Sequence, residues 1–292
     1  MRPRLIGVLP TLLTLANAAC GFGAITFAAK LGPADLTVAT RDSLFAANPS
    51  LVAALLVYLG MLFDMLDGTA ARRLKQTSEL GAQLDSLCDA ITFGVAPAFL
   101  MLQFVTRELH AMEGLSFHPR LLWTIGALYV LCAILRLARF NVETEEDDAH
   151  EEFSGLPSPA AAGTIVAFPF AMPSLLALAQ ADRGTATLVA QWISPAVKTG
   201  LPLVALAVAC LMVSRVRYPH VFSQFFRGRR TRRHIIQIVF VLAVVFWTHE
   251  LAVPLIFCSF AFGAPLKAAW GELSRRRWMS SQSPSAPAPP ES

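Results

Sequence analysis

The chain has 292 residues, 55% of them apolar and only 15% charged, with a net charge of +4. A soluble domain carries about 25% charged residues, and a mean hydropathy of +0.54 is high for one. Composition therefore excludes a soluble enzyme, a disordered chain and a nucleic-acid binder. Most apolar residues fall in blocks of roughly 17–24, the length that crosses a hydrocarbon core at about 1.5 Å per residue. The fold class expected is all-α, a polytopic transmembrane helical bundle.

In chain order, eight spans are predicted, over residues 9–29, 51–66, 86–104, 121–138, 160–179, 197–213, 235–247 and 251–266. The last two are short. They read as two tilted helices turning at His249 and Glu250, because Pro254 falls where a new helix would start. The beginning resembles a signal peptide, with Arg2, Arg4, an apolar run and Ala16-Asn17-Ala18. Hydrophobicity continues through Phe22, Ile25 and Phe27, so this segment is expected to stay as the first span. With the N-terminus in the cytoplasm, 18 of the 24 Lys and Arg fall on inside segments. Positive charge is retained on that side, which places both termini and the 75–79 turn in the cytoplasm of a multi-pass inner-membrane protein.

The organisation expected is a cytoplasmic N-terminus (1–8), a six-span core (9–213), a basic cytoplasmic loop (214–234), two further spans (235–269) and a basic, then disordered tail (270–292). The 215–233 stretch interleaves seven arginines with Tyr218, Phe222, Phe225 and Phe226. It reads as a topology determinant or a surface for anionic lipid headgroups, not a nucleic-acid site. The five cysteines sit in or beside apolar blocks without a CxxC pair, so they are packing residues.

The informative residues interrupt the second and third spans. Asp64 and Asp67 are three apart and share a helix face, which Gly68, Ala71 and Arg72 continue. Gly81, Asp85 and Asp89 recur every four residues and form one stripe of the next helix. A short turn makes the two helices antiparallel neighbours, and the small residues allow close approach. Carboxylates within a membrane are costly and mark function. Four facing one another would repel unless a cation joined them, and oxygen-only ligands suit Mg²⁺, Mn²⁺ or Ca²⁺. Carboxylate-held metal beside an arginine is equipment for polarising phosphoryl oxygens. An ion-pair network or the proton relay of a carboxylate-lined transporter is the competing reading; neither needs the small residues or Arg72.

The pattern D-x-x-D-G-x-x-A-R-x8-G-x-x-x-D-x-x-x-D, complete at Asp64, Asp67, Gly68, Ala71, Arg72, Gly81, Asp85 and Asp89, resembles the signature of the CDP-alcohol phosphatidyltransferases. The resemblance implies a six-helix core, often homodimeric, with a site open to the cytoplasm; the two extra C-terminal spans here agree with some members. It implies that CDP-diacylglycerol donates a phosphatidyl group to an alcohol and that CMP leaves. Asp64, Asp67 and Asp85, with Asp89 as a possible further ligand, would hold one or two Mg²⁺ or Mn²⁺ ions. Asp67, Gly68, Ala71, Arg72 and Gly81 would bind the CDP-lipid, and Asp89 would be the catalytic base.

Three more stretches resemble the phosphatidylserine synthase branch, which implies L-serine as acceptor. They are Leu9-Pro10-Thr11-Leu12-Leu13-Thr14-Leu15-Ala16-Asn17 with Cys20-Gly21-Phe22, the surroundings of Asp85 and Asp89 through Ala98, and Arg136-Leu137-Ala138-Arg139-Phe140-Asn141 followed by Gly155-Leu156-Pro157-Ser158. Arg136 and Arg139 lie three apart at the end of the fourth span, with Asn141 beyond and Ser158 positioned to cap the fifth. Two guanidiniums and an amide can hold a carboxylate or phosphate; the plainer reading is a pair of membrane anchors and a helix start. The seven carboxylates of 143–152 form a solvated loop. Another acceptor, such as glycerol phosphate, inositol phosphate or choline, is the alternative within the family.

Overall fold

The computed structural model describes residues 9–31, 48–74, 79–110, 117–146, 155–180, 185–216, 218 and 252–281. They form α1 (Leu9–Ala29), α2 (Pro49–Leu74), α3 (Glu79–Asp89), a π-helical segment (Ala90–Val95), α4 (Ala96–His110), α5 (Pro119–Glu146), α6 (Ser158–Gln180), α7 (Thr185–Val213) and α8 (Ala252–Ser281). Local sequence sets the starts. Pro49 and Pro119 open α2 and α5, where a missing N–H costs nothing. Pro169, Pro173, Pro195 and Pro202 lie inside α6 and α7, which packing against neighbouring helices tolerates within a membrane.

Six helical rods are long and apolar enough to cross a membrane, with α3, the π segment and α4 acting as one. These correspond to the first six predicted spans. The α3–α4 rod and α6 are central, with 67% and 61% of their apolar stretches buried, whereas α1, α2, α5 and α7 bury only 28–35%. The peripheral helices turn Phe22, Leu131 and Leu203 outward. In water that surface would be prohibitive; in hydrocarbon it is the solvent-facing side. The core itself is packed around Val57, Phe93, Leu100, Met101, Tyr129, Ile165 and Val166.

The π segment is a feature that periodicity did not predict. Two hydroxyls tie its backbone region to its neighbours: Tyr129 donates to the Phe93 carbonyl at 2.9 Å, and Thr92 donates to the Asn17 carbonyl of α1 at 2.9 Å. α1 and α2 can close on it because Gly21 and Gly60 face Thr92. A Cβ on Gly21 would stand 2.8 Å from the Thr92 Cα, and one on Gly60 would stand 2.6 Å from the Thr92 Cγ2. Gly21→Ala is therefore expected to push α1 off the rod, costing about 1–3 kcal/mol as an overpacked core. A lower thermal unfolding midpoint with a matching loss of activity is the expected reading; an unchanged midpoint would contradict this packing.

The C-terminal region differs from the prediction. The proposed seventh span, 235–247, lies outside the described residues, as does most of the basic stretch. The expected final span is a single helix, α8, which runs on to Ser281 instead of ending at 266, and whose apolar part covers only Ala252–Lys267. So the segment expected to leave the membrane region at 270 begins as helix. It continues because no glycine or proline interrupts the sequence between Gly271 and Ser281. α8 docks on α6 and α2, with Phe257 against Gly163 and stacked on Tyr58 at 5.6 Å, and Tyr218 donating to the Ala261 carbonyl at 2.8 Å.

Candidate active site

One end of the bundle collects the polar side chains. α2 descends to it with Asp64 and Asp67, and α3 rises from it with Asp85 and Asp89. Carboxylate oxygens of Asp64, Asp67 and Asp85 all lie within 4.8 Å of one another. If ionised, each such pair would repel by at least about 3 kcal/mol at an effective dielectric of about 20. Asp67 is buried, 4% exposed, and its Oδ2 has no hydrogen-bond partner; the same holds for Oδ1 of Asp85. Buried, orphaned carboxylate oxygens converging on one point are the arrangement a hard cation satisfies. The donor set is all oxygen, which fits Mg²⁺ or Mn²⁺.

Asp89 lies beside this trio, within electrostatic reach of Asp64, Asp85 and Asp67. It is buried, 8% exposed, and its Oδ1 accepts a hydrogen bond of 2.9 Å from Asn17 Nδ2. The regular 85-to-89 helical turn puts both carboxylates on one stripe, as expected, with Asp89 one turn deeper than the Asp64, Asp67 and Asp85 oxygens that lie within 4.8 Å of one another.

Gly68 is exposed, and a Cβ there would meet nothing within 4 Å, so α2 offers open space beside Asp67. Gly81 is half-buried at the start of α3. Ala71 and Arg72 continue α2, but their side chains lie outside the described residues.

α5 and α6 close the far side. Arg136 is half-buried and its Nη1 donates to Ser158 Oγ at 3.0 Å, with Ser158 fully buried at the start of α6. The same guanidinium lies within electrostatic reach of Asp64 and Asp89. Arg139, three residues on, is exposed where Arg136 is half-buried. Asn141 is occupied elsewhere, its Nδ2 donating to Ser86 Oγ of α3 at 2.9 Å. Among the described side chains, the site is thus an acidic floor on α2 and α3 with Arg136 within electrostatic reach of it, an arrangement suited to a phosphorylated substrate with its cation.

A known family now meets this geometry, since the pattern of the CDP-alcohol phosphatidyltransferases matches residues 7–264. The chain belongs to that family. The chain is 34% identical over 163 residues to a CDP-diacylglycerol–serine O-phosphatidyltransferase of Mycobacterium tuberculosis, covering 54% of this chain and 48% of that protein. It is 31% identical over 217 residues to one from Bacillus subtilis, covering 73% of this chain and 90% of the relative. An archaetidylserine synthase of Methanothermobacter thermautotrophicus is 37% identical over 165 residues, 55% of this chain and 57% of that one. The match spans about half the length of the mycobacterial relative.

Sequence reasoning missed a role for Asn17. It appeared only within a resembling stretch, yet it is fully buried and touches Asp89. The signal was present: an amide within an apolar span must find a partner there, and Asn17 is one of few such groups in 9–29.

Proposed function

We propose that the protein transfers the phosphatidyl group of CDP-diacylglycerol to L-serine, giving phosphatidylserine and CMP. The observation that carries this is the trio of Asp64, Asp67 and Asp85 with its orphaned buried oxygens, beside the open face at Gly68 and one turn from Asp89. Serine as acceptor is supported by the names of the relatives and by Arg136 poised over the carboxylates.

In this mechanism the acyl chains of the donor lie in the bilayer and its CDP head enters at Gly68, with Ala71 and Arg72 following along α2. Asp64, Asp67 and Asp85 would hold one or two Mg²⁺ or Mn²⁺ ions. Such an ion, when bound, supplies a Lewis acid for the pyrophosphate oxygens. Arg136 orients the serine carboxylate, with Ser158 fixing the guanidinium. Asp89 takes the proton of the serine hydroxyl as that oxygen attacks the lipid-linked phosphorus in line. The bond from phosphorus to the CMP oxygen breaks, and CMP leaves with the electron pair. The nucleophile belongs to the substrate, so the protein needs no reactive Ser, Cys or His.

Purified protein in vesicles tests this reading against a carboxylate-lined transporter. CMP release should require CDP-diacylglycerol, serine and divalent metal together. Metal-driven solute flux without CMP release would replace the enzyme by a transporter. Arg136→Lys is expected to raise the serine KM about tenfold or more, since hydrogen bonds to a charged group contribute about 1.5–3 kcal/mol and a lysine loses the fork. KM for the CDP-lipid should stay within about twofold; an unchanged serine KM would return Arg136 to the role of membrane anchor.

The same reading places the protein in the cytoplasmic membrane with the site facing inward and, following the family resemblance, two copies working as a homodimer. The 18-to-6 partition of Lys and Arg supports the orientation. A cysteine reporter at Gln76 should escape an impermeant thiol reagent in intact cells. Strong labelling there would reverse the orientation.

A further inference from the structure

The transfer mechanism leaves the buried amide of Asn17 unused. Asn17 is fully buried in α1, an otherwise apolar helix, and burying an amide is costly unless it is bonded. Its Nδ2 donates to Asp89 Oδ1 at 2.9 Å, and its backbone carbonyl accepts from Thr92 Oγ1 at 2.9 Å. Thr92 belongs to the π-helical segment that begins one residue after Asp89. Asn17 is therefore tied to Asp89 through the side chains and to the π-helical segment that follows Asp89 through its backbone. The Oδ1 of Asn17 is itself buried without a hydrogen-bond partner. Gly60 faces the amide so closely that a Cβ there would lie 2.9 Å from Asn17 Oδ1, and Gly21, one turn along α1, packs on Thr92. π-helical turns recur at functional sites, where they redirect a helix.

We propose that Asn17 is a positioning residue for the transfer reaction: it holds Asp89 Oδ1, so that Oδ2 is the oxygen presented to the acceptor hydroxyl. The inference rests on the reading of Asp89 as the base. Asn17 acts only through Asp89 and touches neither donor nor acceptor. A carboxylate fixed in this way meets the hydroxyl in one orientation, whereas a free one samples rotamers that do not accept the proton. Groups that orient a reacting side chain typically contribute about 10–100-fold.

A double-mutant cycle separates this role from simple packing. Asn17→Ala and the near-isosteric Asn17→Leu are each made in the wild-type and the Asp89→Asn backgrounds, and kcat and both KM values are measured on purified protein in vesicles. In the wild-type background kcat should fall about 10–100-fold, with KM for CDP-diacylglycerol and serine within about twofold. In the Asp89→Asn background the same substitutions should change kcat by less than about twofold, because orientation of a group that cannot take the proton no longer matters. Either variant suffices if the other does not fold. Equal losses in both backgrounds, a loss confined to KM, or an unchanged kcat would overturn the inference while leaving Asp89 as the base. If Asp89→Asn alone keeps wild-type kcat, the base assignment fails and the inference falls with it.

Discussion

Asp89→Asn is expected to lower kcat by about 10²–10⁴-fold, the usual contribution of a general base, or roughly 3–5 kcal/mol of barrier. The amide keeps the size of the side chain and still accepts from Asn17, so the helix packing around it should survive. CDP-diacylglycerol binding in the presence of Mn²⁺ should also survive, because the three-carboxylate group excludes Asp89. Kinetics and a direct binding isotherm on the same preparation check both halves. Loss of donor binding as complete as that in Asp64→Asn would make Asp89 a metal ligand and leave the base to another group.

The second large effect concerns the trio itself. Asp64→Asn or Asp85→Asn removes one charge from a set of oxygens within 4.8 Å of one another. Metal-dependent nucleotide binding should be lost along with activity, since a hard cation depends on anionic oxygen ligands. Stability should move the other way without metal. In chelator, the wild type keeps its carboxylates crowded together, and each substitution relieves repulsion between buried like charges. The unfolding midpoint of either variant in chelator should therefore match or exceed that of the wild type, whereas adding Mn²⁺ should raise only the wild type, as binding to the folded state requires. A Mn²⁺-induced rise of equal size in Asp85→Asn would exclude Asp85 from the metal site.

Much of this site was legible in the sequence because its chemistry runs against its surroundings. Four aspartates in otherwise apolar helices have no packing explanation, and spacings of three and four residues place them on facing stripes. The first six spans were legible for the same reason, since length and apolarity alone decide what crosses a bilayer. Periodicity could not reveal the π-helical turn after Asp89: an extra residue in one turn depends on contacts from α1 and α5, and those are tertiary. Nor could spacing separate Arg136 from Arg139. On an isolated helix they share a face; in the fold Arg136 is half-buried and donates to Ser158 of α6, whereas Arg139 is exposed. Asn17 lay 72 residues from its partner, a pairing that only the packing of α1 against the α3–α4 rod creates. The run of α8 to Ser281 was hidden by the serine- and proline-rich composition of residues 282–292.

The central claim is that the carboxylate cluster passes a phosphatidyl group to serine, and an acceptor panel tests it most directly. Purified protein in vesicles containing CDP-diacylglycerol and Mn²⁺ is offered isotope-labelled L-serine, glycerol phosphate, inositol phosphate or choline, and the lipid products are identified by mass spectrometry beside the CMP released. The expected result is labelled phosphatidylserine in equal amount to CMP, with the other acceptors inert and both products absent in Asp64→Asn. Labelled lipid from another acceptor, with none from serine, would contradict the account.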